Sequence, residues 1–138
     1  MTSWTVAQLG ARQETFELGP VDLDLGPGAV VAVLGRSGAG KTTLLRTLAG
    51  FLRARSGTIV RDGTDVTHAP PERRGLGYVP QGLGLLPHRT AQGNVSYPLE
   101  VRGRLDARAR SLELLERFGL VVHDLDGKVS TPPGPLDG

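Results

Sequence analysis

The first third of the chain shows the apolar and polar patterns of β-strands. Residues 4–9 and 14–25 read as short strands, and near the end of the second the apolar residues alternate with acidic ones, as a sheet with one buried face requires. The alternating residues are Val21, Asp22, Leu23, Asp24 and Leu25. Residues 29–34 are apolar throughout and rich in valine, which is typical of a central strand covered on both faces. We therefore expect two half-buried strands, a turn at residues 26–28 and one fully buried strand.

Helical spacing follows soon after the apolar run. Residues 41–51 carry apolar side chains three and four positions apart, which predicts a helix. Residues 58–61 and 76–79 read as further short strands, and the dipeptide Asp62-Gly63 is a turn signal after the first of them. This part of the chain is thus expected to alternate between strands and one helix.

Two more helices are expected in the remainder of the chain. Residues 91–100 are predicted to be helical as far as Pro98, and residues 106–118 to form a better helix that Asp106 caps. The residues expected to share one face of that helix are Ala109, Leu112, Leu115 and Phe118. Beyond it the pattern decays, and residues 130–135 read as a loop or a frayed end.

Composition and charge restrict the classes of protein that fit. With 138 residues, of which 38% are hydrophobic and 22% charged, the chain suits one soluble domain with a modest core. A net charge of +2 is too small to indicate nucleic acid, so no nucleic-acid partner is expected. The lack of cysteine excludes disulfides and thiolate metal sites and permits a cytosolic location. No apolar run approaches the roughly 20 residues that span a bilayer, and no signal-peptide pattern is visible.

A glycine-rich loop precedes the first helix and matches the phosphate-loop pattern without a mismatch. Its residues are Gly35, Arg36, Ser37, Gly38, Ala39, Gly40, Lys41 and Thr42. The glycines let successive N–H groups surround a phosphate, and the N-terminal end of the next helix faces the same anion. Lys41 is expected to reach the β- and γ-phosphates, and the Thr42 hydroxyl to hold Mg²⁺. The pattern therefore predicts binding of a nucleotide, and we expect Mg-ATP.

The alternative is a glycine-rich turn that matches by chance. The bare pattern is expected by chance in fewer than about 1% of chains of this size. Here the loop lies after a predicted buried strand and before a predicted helix, as its chemistry requires. The only lysines are Lys41 and Lys128, so a chain that otherwise uses arginine keeps lysine where a slim point charge is needed. Both observations favour a true phosphate loop.

Five stretches carry a resemblance to a known family. They are residues 23–28 before the loop, 35–45 with the doubled Thr42-Thr43, 49–67 after the helix, 73–81 with Arg-Arg-Gly-Leu-Gly-Tyr-Val-Pro-Gln, and 85–95 with Leu-Leu-Pro-His-Arg-Thr and Gly-Asn-Val. Together they resemble the N-terminal part of the ATP-binding subunit of an ABC transporter. The resemblance covers roughly residues 15–120 and is far more specific than the loop alone.

The resemblance implies an α/β fold of the P-loop NTPase class, ABC type, with an N-terminal antiparallel β part. The expected divisions are N-terminal strands at 1–34, phosphate loop and helix at 35–51, strands leading to the glutamine loop at 52–90, and the start of a helical subdomain at 91–138. The family's signature, its catalytic glutamate and its switch histidine are not found. No Leu-Ser-Gly-Gly occurs, and Leu136-Asp137-Gly138 stands where the signature would begin. The C-terminal half of the domain is therefore expected to be missing.

The resemblance also assigns roles to residues around the nucleotide. Gln81 would lie in the loop that links the nucleotide to the membrane subunit and would contact Mg²⁺ or the attacking water. Lys41 and Gln81 would then be catalytic, Thr42 and Gln81 would serve the metal, and Thr43 would belong to the cofactor-binding set. Gln81 could instead be a plain turn residue that follows a proline.

Adenine recognition is a departure from the family pattern. Family members stack an aromatic ring on adenine, and by spacing from Lys41 that position falls at Arg12 in this chain. A flat guanidinium can stack on a base. Phe16 lies nearby, but its spacing favours a role in the core.

By the same resemblance, the partners would be a membrane-spanning transporter subunit and a second ATP-binding subunit arranged head to tail. The location would be cytoplasmic, on the inner face of the cell membrane. The closest likeness is to importers of small ions, polyamines and similar solutes. The chain alone is expected to bind ATP without efficient hydrolysis and to be marginally stable. Three alternatives remain: a non-hydrolysing nucleotide-binding regulatory module, a truncated gene product, and a different P-loop NTPase such as a small kinase.

Overall fold

A computed structural model describes residues 2–82 and 84–120. The chain divides into two compact units, the first ending at Tyr78 and the second beginning at Val79. The divisions expected at residues 34, 51 and 90 stay a prediction. The sequence features at Lys128, at 130–135 and at 136–138 lie outside the described residues.

The first unit is built on a four-stranded antiparallel sheet with the strand order β2-β1-β3-β4. The strands are β1 (Trp4–Gln13), β2 (Phe16–Leu25), β3 (Ala54–Arg61) and β4 (Thr64–Asp65), and the helices are α1 (Lys41–Ala49) and α2 (Pro71–Arg74). One apolar cluster joins the sheet to α1. Its buried members are Trp4, Val6, Leu9, Leu44, Ala54, Ile59 and Val66. The expected antiparallel part and the expected helix after the loop are therefore both present.

Strand β1 runs four residues beyond the expected end at residue 9. The register with its neighbours shifts on both sides of Leu9, and Gln8 has a φ of 50°. Such a bulge breaks the two-residue alternation on which a sequence reading depends. The buried side chains consequently switch from the even positions Trp4 and Val6 to the odd positions Leu9 and Ala11, and the strand continues to Gln13.

The strand predicted at residues 29–34 is wrong. This segment has no regular secondary structure, and within the described ranges no strand hydrogen-bonds to it. Val30 is 96% exposed and Leu34 90% exposed. An apolar run becomes a strand only when a neighbour completes the backbone hydrogen bonds, and none does so here. The strand predicted at 76–79 is absent for the same reason.

In the second unit, helices α3 (Ala91–Glu100) and α4 (Ala107–Arg117) pack against each other. Thr90 is the N-cap of helix α3, and its hydroxyl accepts a hydrogen bond from the Gly93 amide at 3.0 Å. The helix continues two residues past Pro98, contrary to expectation, because losing one amide donor so near its end costs little. Among the described helices of both units, none has the length and apolar character needed to cross a bilayer.

Helix α4 differs from expectation in its cap and its buried face. Asp106 precedes it, but its carboxylate accepts hydrogen bonds from Arg104 at 2.8 and 2.9 Å and does not cap the helix. This pairing lowers the pKa of Asp106. The buried face consists of Ala107, Ser111 and Leu115. Of these three residues, only Leu115 was predicted to be buried. Ala109 and Phe118 were also predicted to be buried, but both are exposed. The face that packs on α3 is the one that repeats every four residues from Ala107, and neither residue lies on it.

Candidate functional site

The glycine-rich loop turns the chain sharply into helix α1. Gly38 and Gly40 have φ angles of 78° and 89°, a left-handed conformation that L side chains rarely adopt. The loop is also closed by a hydrogen bond from the Ala39 amide to the Arg36 carbonyl at 3.2 Å. Arg36 and Ser37 are exposed. The sequence thus puts glycine at the two positions where the backbone needs it.

Helix α1 begins without any side-chain cap. Its N-cap is Gly40, which has no side chain to offer, and the first turn contains no acidic residue. The first hydrogen bond of the helix runs from the Leu44 amide to the Gly40 carbonyl at 2.8 Å. The amides of Lys41, Thr42 and Thr43 precede that bond and lie at the positive end of the helix dipole. This is the arrangement by which helix N-termini bind phosphate.

The Lys41 side chain folds back over the loop. Its ammonium group donates hydrogen bonds to the carbonyl oxygens of Gly35 at 2.6 Å and Arg36 at 2.7 Å. The positive charge is therefore held beside the loop backbone that leads into the N-terminus of α1. A phosphate held there would meet both the charge and the amides.

The two threonines of the loop differ in accessibility. Thr42 is exposed, so its hydroxyl is free to approach a metal ion. Thr43 is 7% exposed, and its carbonyl accepts a hydrogen bond from the Thr47 hydroxyl at 2.7 Å. Thr43 can serve a ligand only through its backbone amide. In residues 2–82 and 84–120, no three His, Asp or Glu side chains converge as a metal site would need.

Strand β2 packs directly against the loop, which sequence reasoning missed. A Cβ atom built on Gly40 would lie 2.7 Å from both Cε1 and Cζ of Phe16 and 3.1 Å from Cδ1 of Leu18. Glycine at 40 is thus required by space as well as by φ. No local pattern signals this contact, because 24 residues separate Phe16 from Gly40.

Arg12 lies near the end of β1 and is exposed. Its Nε donates to the carbonyl of Glu14 at 3.0 Å, and its Nη1 lies 3.7 Å from the Glu17 carboxylate. Its side chain is 44% exposed. The guanidinium thus already contacts Glu14 in the turn between β1 and β2 and Glu17 in β2.

Gln81 is exposed in a turn near the start of the second unit, whereas Lys41 and Thr42 belong to the first unit. The segment that follows it is held by Asn94, whose side-chain oxygen accepts from the Leu86 amide at 2.7 Å. The Asn94 amide group donates to the carbonyls of Leu86 at 3.1 Å and Thr90 at 3.0 Å. In the sequence, only the resemblance of the residues around Asn94 to a known family drew attention to this position.

A family model described as "ABC transporter" matches residues 18–132. The chain belongs to the ABC transporter family. Its curated relatives include the sulfate/thiosulfate import ATP-binding protein of Mycobacterium bovis, which is 42% identical over 120 residues, or 86% of this chain and 33% of the relative. The putative 2-aminoethylphosphonate import ATP-binding protein of Salmonella typhimurium is 46% identical over 85 residues, or 62% of this chain and 23% of the relative. This ABC family chain thus spans about a third or less of the length of these relatives.

Two solved structures share the fold. A dimeric post-hydrolysis state of an ATP-binding cassette bound to ADP and phosphate matches with a TM-score of 0.77 at 22% identity, over 95% of this chain and 63% of that one. A second ATP-binding cassette of an ABC transporter matches with a TM-score of 0.74 at 23% identity, over 97% and 60%. The expected fold class is confirmed: this ABC family chain has the N-terminal part of a P-loop fold of the ABC type.

Proposed function

We propose that this chain binds Mg-ATP through residues 35–42 and acts within the ATP-binding subunit of an ABC importer. The observation that carries the proposal is the uncapped N-terminus of α1, which follows the left-handed glycines and lies beside the Lys41 ammonium. Backbone amides, a helix dipole and one lysine together recognise a polyphosphate without base-specific contacts. ATP is the ligand that the family membership supports.

Each loop residue has a proposed role. The amides of Lys41, Thr42 and Thr43 hold the β-phosphate, the Lys41 ammonium neutralises the β- and γ-phosphates, and the Thr42 hydroxyl supplies one Mg²⁺ ligand. When bound, Mg²⁺ neutralises charge that develops on the transferred phosphoryl group. Gln81 is proposed to contact the metal or the attacking water. Arg12 stays the position at which the family pattern predicts adenine stacking.

The larger assembly is a proposal drawn from the relatives. They are import ATP-binding proteins for sulfate or thiosulfate and for 2-aminoethylphosphonate, which supports import of a small ion across the cell membrane. Polyamine-like solutes stay a prediction. The partners proposed are a membrane-spanning subunit and a second ATP-binding subunit, and the location is the inner face of the membrane.

The test is isothermal calorimetry of Mg-ATP with the 138-residue chain and the Lys41→Ala variant. Losing charge-assisted hydrogen bonds to phosphate should weaken binding at least about tenfold. The matched control is Arg46→Ala, which removes an exposed positive charge from the same helix one turn further on. Equal affinity in the wild-type and Lys41→Ala chains would refute the phosphate site.

Turnover is tested separately. The sequence contains no counterpart of the family's catalytic glutamate, so the 138-residue chain is proposed to bind ATP with little hydrolysis. Phosphate release under saturating Mg-ATP measures this. Hydrolysis at a rate typical of enzymes, about 1 s⁻¹ or more, would contradict it.

A further inference from the structure

The connection between α3 and α4 exposes apolar side chains. Tyr97 is 40% exposed, Val101 is 67% exposed and Leu105 is fully exposed. Tyr97 and Val101 are four residues apart at the end of α3 and therefore share one face of the helix, and Leu105 lies in the turn that follows. The exposure of apolar surface thus increases along the chain towards this turn.

Arginines accompany these apolar side chains. Residues 101–110 contain four arginines and one aspartate. The four arginines, all exposed, are Arg102, Arg104, Arg108 and Arg110. Arg104 pairs with Asp106, whereas the other three form no ion pair within residues 2–82 and 84–120. The four arginines with Tyr97, Val101 and Leu105 are called the α3–α4 surface here, and this surface is both apolar and positively charged.

The folding of α4 gains nothing from two of these arginines. Arg108 and Arg110 lie in the first turn of the helix, where the positive end of the helix dipole disfavours cations. That turn contains no acidic residue, and the Asp106 side chain does not cap it. Leu105, just before it, is likewise exposed to solvent. Binding of something outside this unit explains such side chains better than stability does.

A lipid surface suits this combination better than a protein partner does. A stable protein interface buries about 800 Å² on each partner, which three side chains on one turn do not provide. A bilayer needs only a few apolar side chains that enter the headgroup region, with tyrosine and arginine at the level of the headgroups. Guanidinium groups also bind phosphate oxygens through paired hydrogen bonds. The chemistry of the α3–α4 surface therefore matches that of a phospholipid layer with negative charge.

We propose that the α3–α4 surface binds the surface of an anionic phospholipid bilayer. Val101 and Leu105 enter the boundary between headgroups and acyl chains, Tyr97 lies at the headgroups, and the arginines bind lipid phosphates. None of these contacts involves nucleotide, so the inference goes beyond ATP binding at residues 35–42. Attachment should require both the negative lipid and the apolar side chains, because the two kinds of contact act together.

Flotation of vesicles in a density gradient tests the proposal with the 138-residue chain, because bound chains rise and aggregated chains sink. Protein-free vesicles of phosphatidylcholine with about one third phosphatidylglycerol are compared with vesicles of phosphatidylcholine alone. The chain should float with the anionic vesicles and not with the neutral ones. Salt at about 0.5 M should release it, because salt screens the arginines. Absence of flotation with the anionic vesicles would overturn the proposal.

The contribution of charge is measured with the double variant Arg102→Gln and Arg110→Gln. Its affinity for the anionic vesicles should fall roughly 25-fold, at about fivefold for each arginine. The matched control is Arg53→Gln with Arg55→Gln, which removes the same charge from exposed positions of the first unit and should float like the wild-type chain. An equal loss in the control would show that total charge, and not this surface, causes binding.

The apolar contribution is measured with Leu105→Gln, which should weaken binding at least about tenfold. Phe118→Gln is the matched control, because Phe118 is 81% exposed at the other end of α4. This control should bind the vesicles as the wild-type chain does. Unchanged flotation of Leu105→Gln would contradict insertion of that side chain.

Fluorescence reports insertion directly. In the Leu105→Trp chain, anionic vesicles should shift the indole emission to shorter wavelength, and the wild-type chain, whose one tryptophan is Trp4, supplies the baseline. An unshifted emission from a chain that floats would overturn the proposed insertion. Binding to soluble polyglutamate without flotation would assign the surface to an acidic protein and overturn the lipid proposal. Mg-ATP affinity should be the same in all these variants, so a failure here is distinguishable from a failure of the phosphate site.

Discussion

At the scale of single residues, the two left-handed glycines of the loop are under different constraints. A Cβ atom on Gly38 would meet no other atom within 4 Å, so only its φ of 78° favours glycine there. Gly40 combines a φ of 89° with the contact to Phe16. Backbone conformation alone therefore favours glycine at position 38, whereas conformation and packing both favour it at position 40.

We expect Gly40→Ala to be more damaging than Gly38→Ala. Each substitution costs about 1–2 kcal/mol for a left-handed L residue, and at position 40 the added methyl group also displaces the Phe16 ring. Urea unfolding and Mg-ATP calorimetry on both variants measure the difference. Equal losses in the two variants would show that the strand does not constrain the loop.

The hydroxyl of Thr42 is expected to act through the metal. Thr42→Val keeps the shape of the side chain but removes the oxygen, so ATP affinity measured with Mg²⁺ should fall to the value measured with EDTA. Thr42→Ser retains the oxygen and should retain the Mg²⁺ dependence. An unaltered Mg²⁺ dependence in Thr42→Val would exclude this residue as a metal ligand.

At the scale of elements, Arg74 ties the far end of α1 to the segment before α2. It is 2% exposed, and its guanidinium donates to the carbonyls of Thr47 and Leu48 in α1 and of Thr67 and Ala69, at 2.8 to 2.9 Å. Its charge lies at the negative end of the α1 dipole, which helps to offset its burial. Burial lowers the pKa of Arg74.

Removing this arginine should destabilise the first unit strongly. Arg74→Met leaves four buried or half-buried carbonyls without donors, so we expect a loss of about 3 kcal/mol or more in the free energy of unfolding. Arg73→Ala, next to it and exposed, should change stability by less than about 0.5 kcal/mol. Urea unfolding measures both. A small effect of Arg74→Met would mean that water satisfies those carbonyls.

Helix α3 carries an acid-sensitive contact. The pKa of Glu100 is lowered, first by the hydrogen bond from the Ser96 hydroxyl and then by Arg89, whose Nη1 lies 2.8 Å from the carboxylate. A lowered pKa adds stability that is fully present above the ordinary value of about 4.3 and is lost as the pH falls through the lower native value.

The pH dependence is expected to follow Glu100. Between pH 5 and pH 3, thermal unfolding of the chain should shift to lower temperature, and Glu100→Gln should reduce that shift because it has no proton to take up. Glu113→Gln on α4 is the control, since Glu113 is exposed and carries no such hydrogen bonds in the described structure. The same shift in Glu100→Gln as in the wild-type chain would contradict this account.

At the scale of the whole molecule, apolar surface remains exposed before the phosphate loop. Val30 and Leu34 are 96% and 90% exposed, in the segment whose strand partners are not among the described residues. Exposed apolar residues on an unpaired extended segment favour association between chains. The 138-residue chain is therefore expected to aggregate when it is made alone.

Replacing these side chains should reduce aggregation without a cost in stability. The double variant Val30→Thr and Leu34→Thr removes surface that no described contact buries, so light scattering should fall and the unfolding midpoint should stay the same. Leu105→Thr is the control, because Leu105 is equally exposed but lies in a turn of the second unit. An equal gain from the control would show that general hydrophobicity, not the extended segment, drives association.

Local chemistry made the conformation of the glycine-rich loop and the start of α1 predictable from the sequence. The features that a phosphate loop requires all lie within eight consecutive residues. They are glycine where φ is positive, a lysine that can reach phosphate, and a helix that begins directly after the loop. Helix α1 begins at Lys41 as predicted and its end at Ala49 is set by Gly50, which is left-handed with a φ of 85°. The resemblance to a known family predicted the fold class, because such a resemblance compares residue types along the chain and does not depend on tertiary contacts.

Contacts between distant residues were decided only by the tertiary structure. The apolar run at 29–34 fits a buried strand, but a strand exists only where another chain segment completes its hydrogen bonds. The packing of Phe16 on Gly40 and the burial of Arg74 join segments more than 20 residues apart, and no periodicity records them. The sequence by itself therefore determined the conformation of the glycine-rich loop and the start of its helix. The tertiary structure decided which side chains surround them, because burial depends on neighbours and a local pattern depends only on spacing.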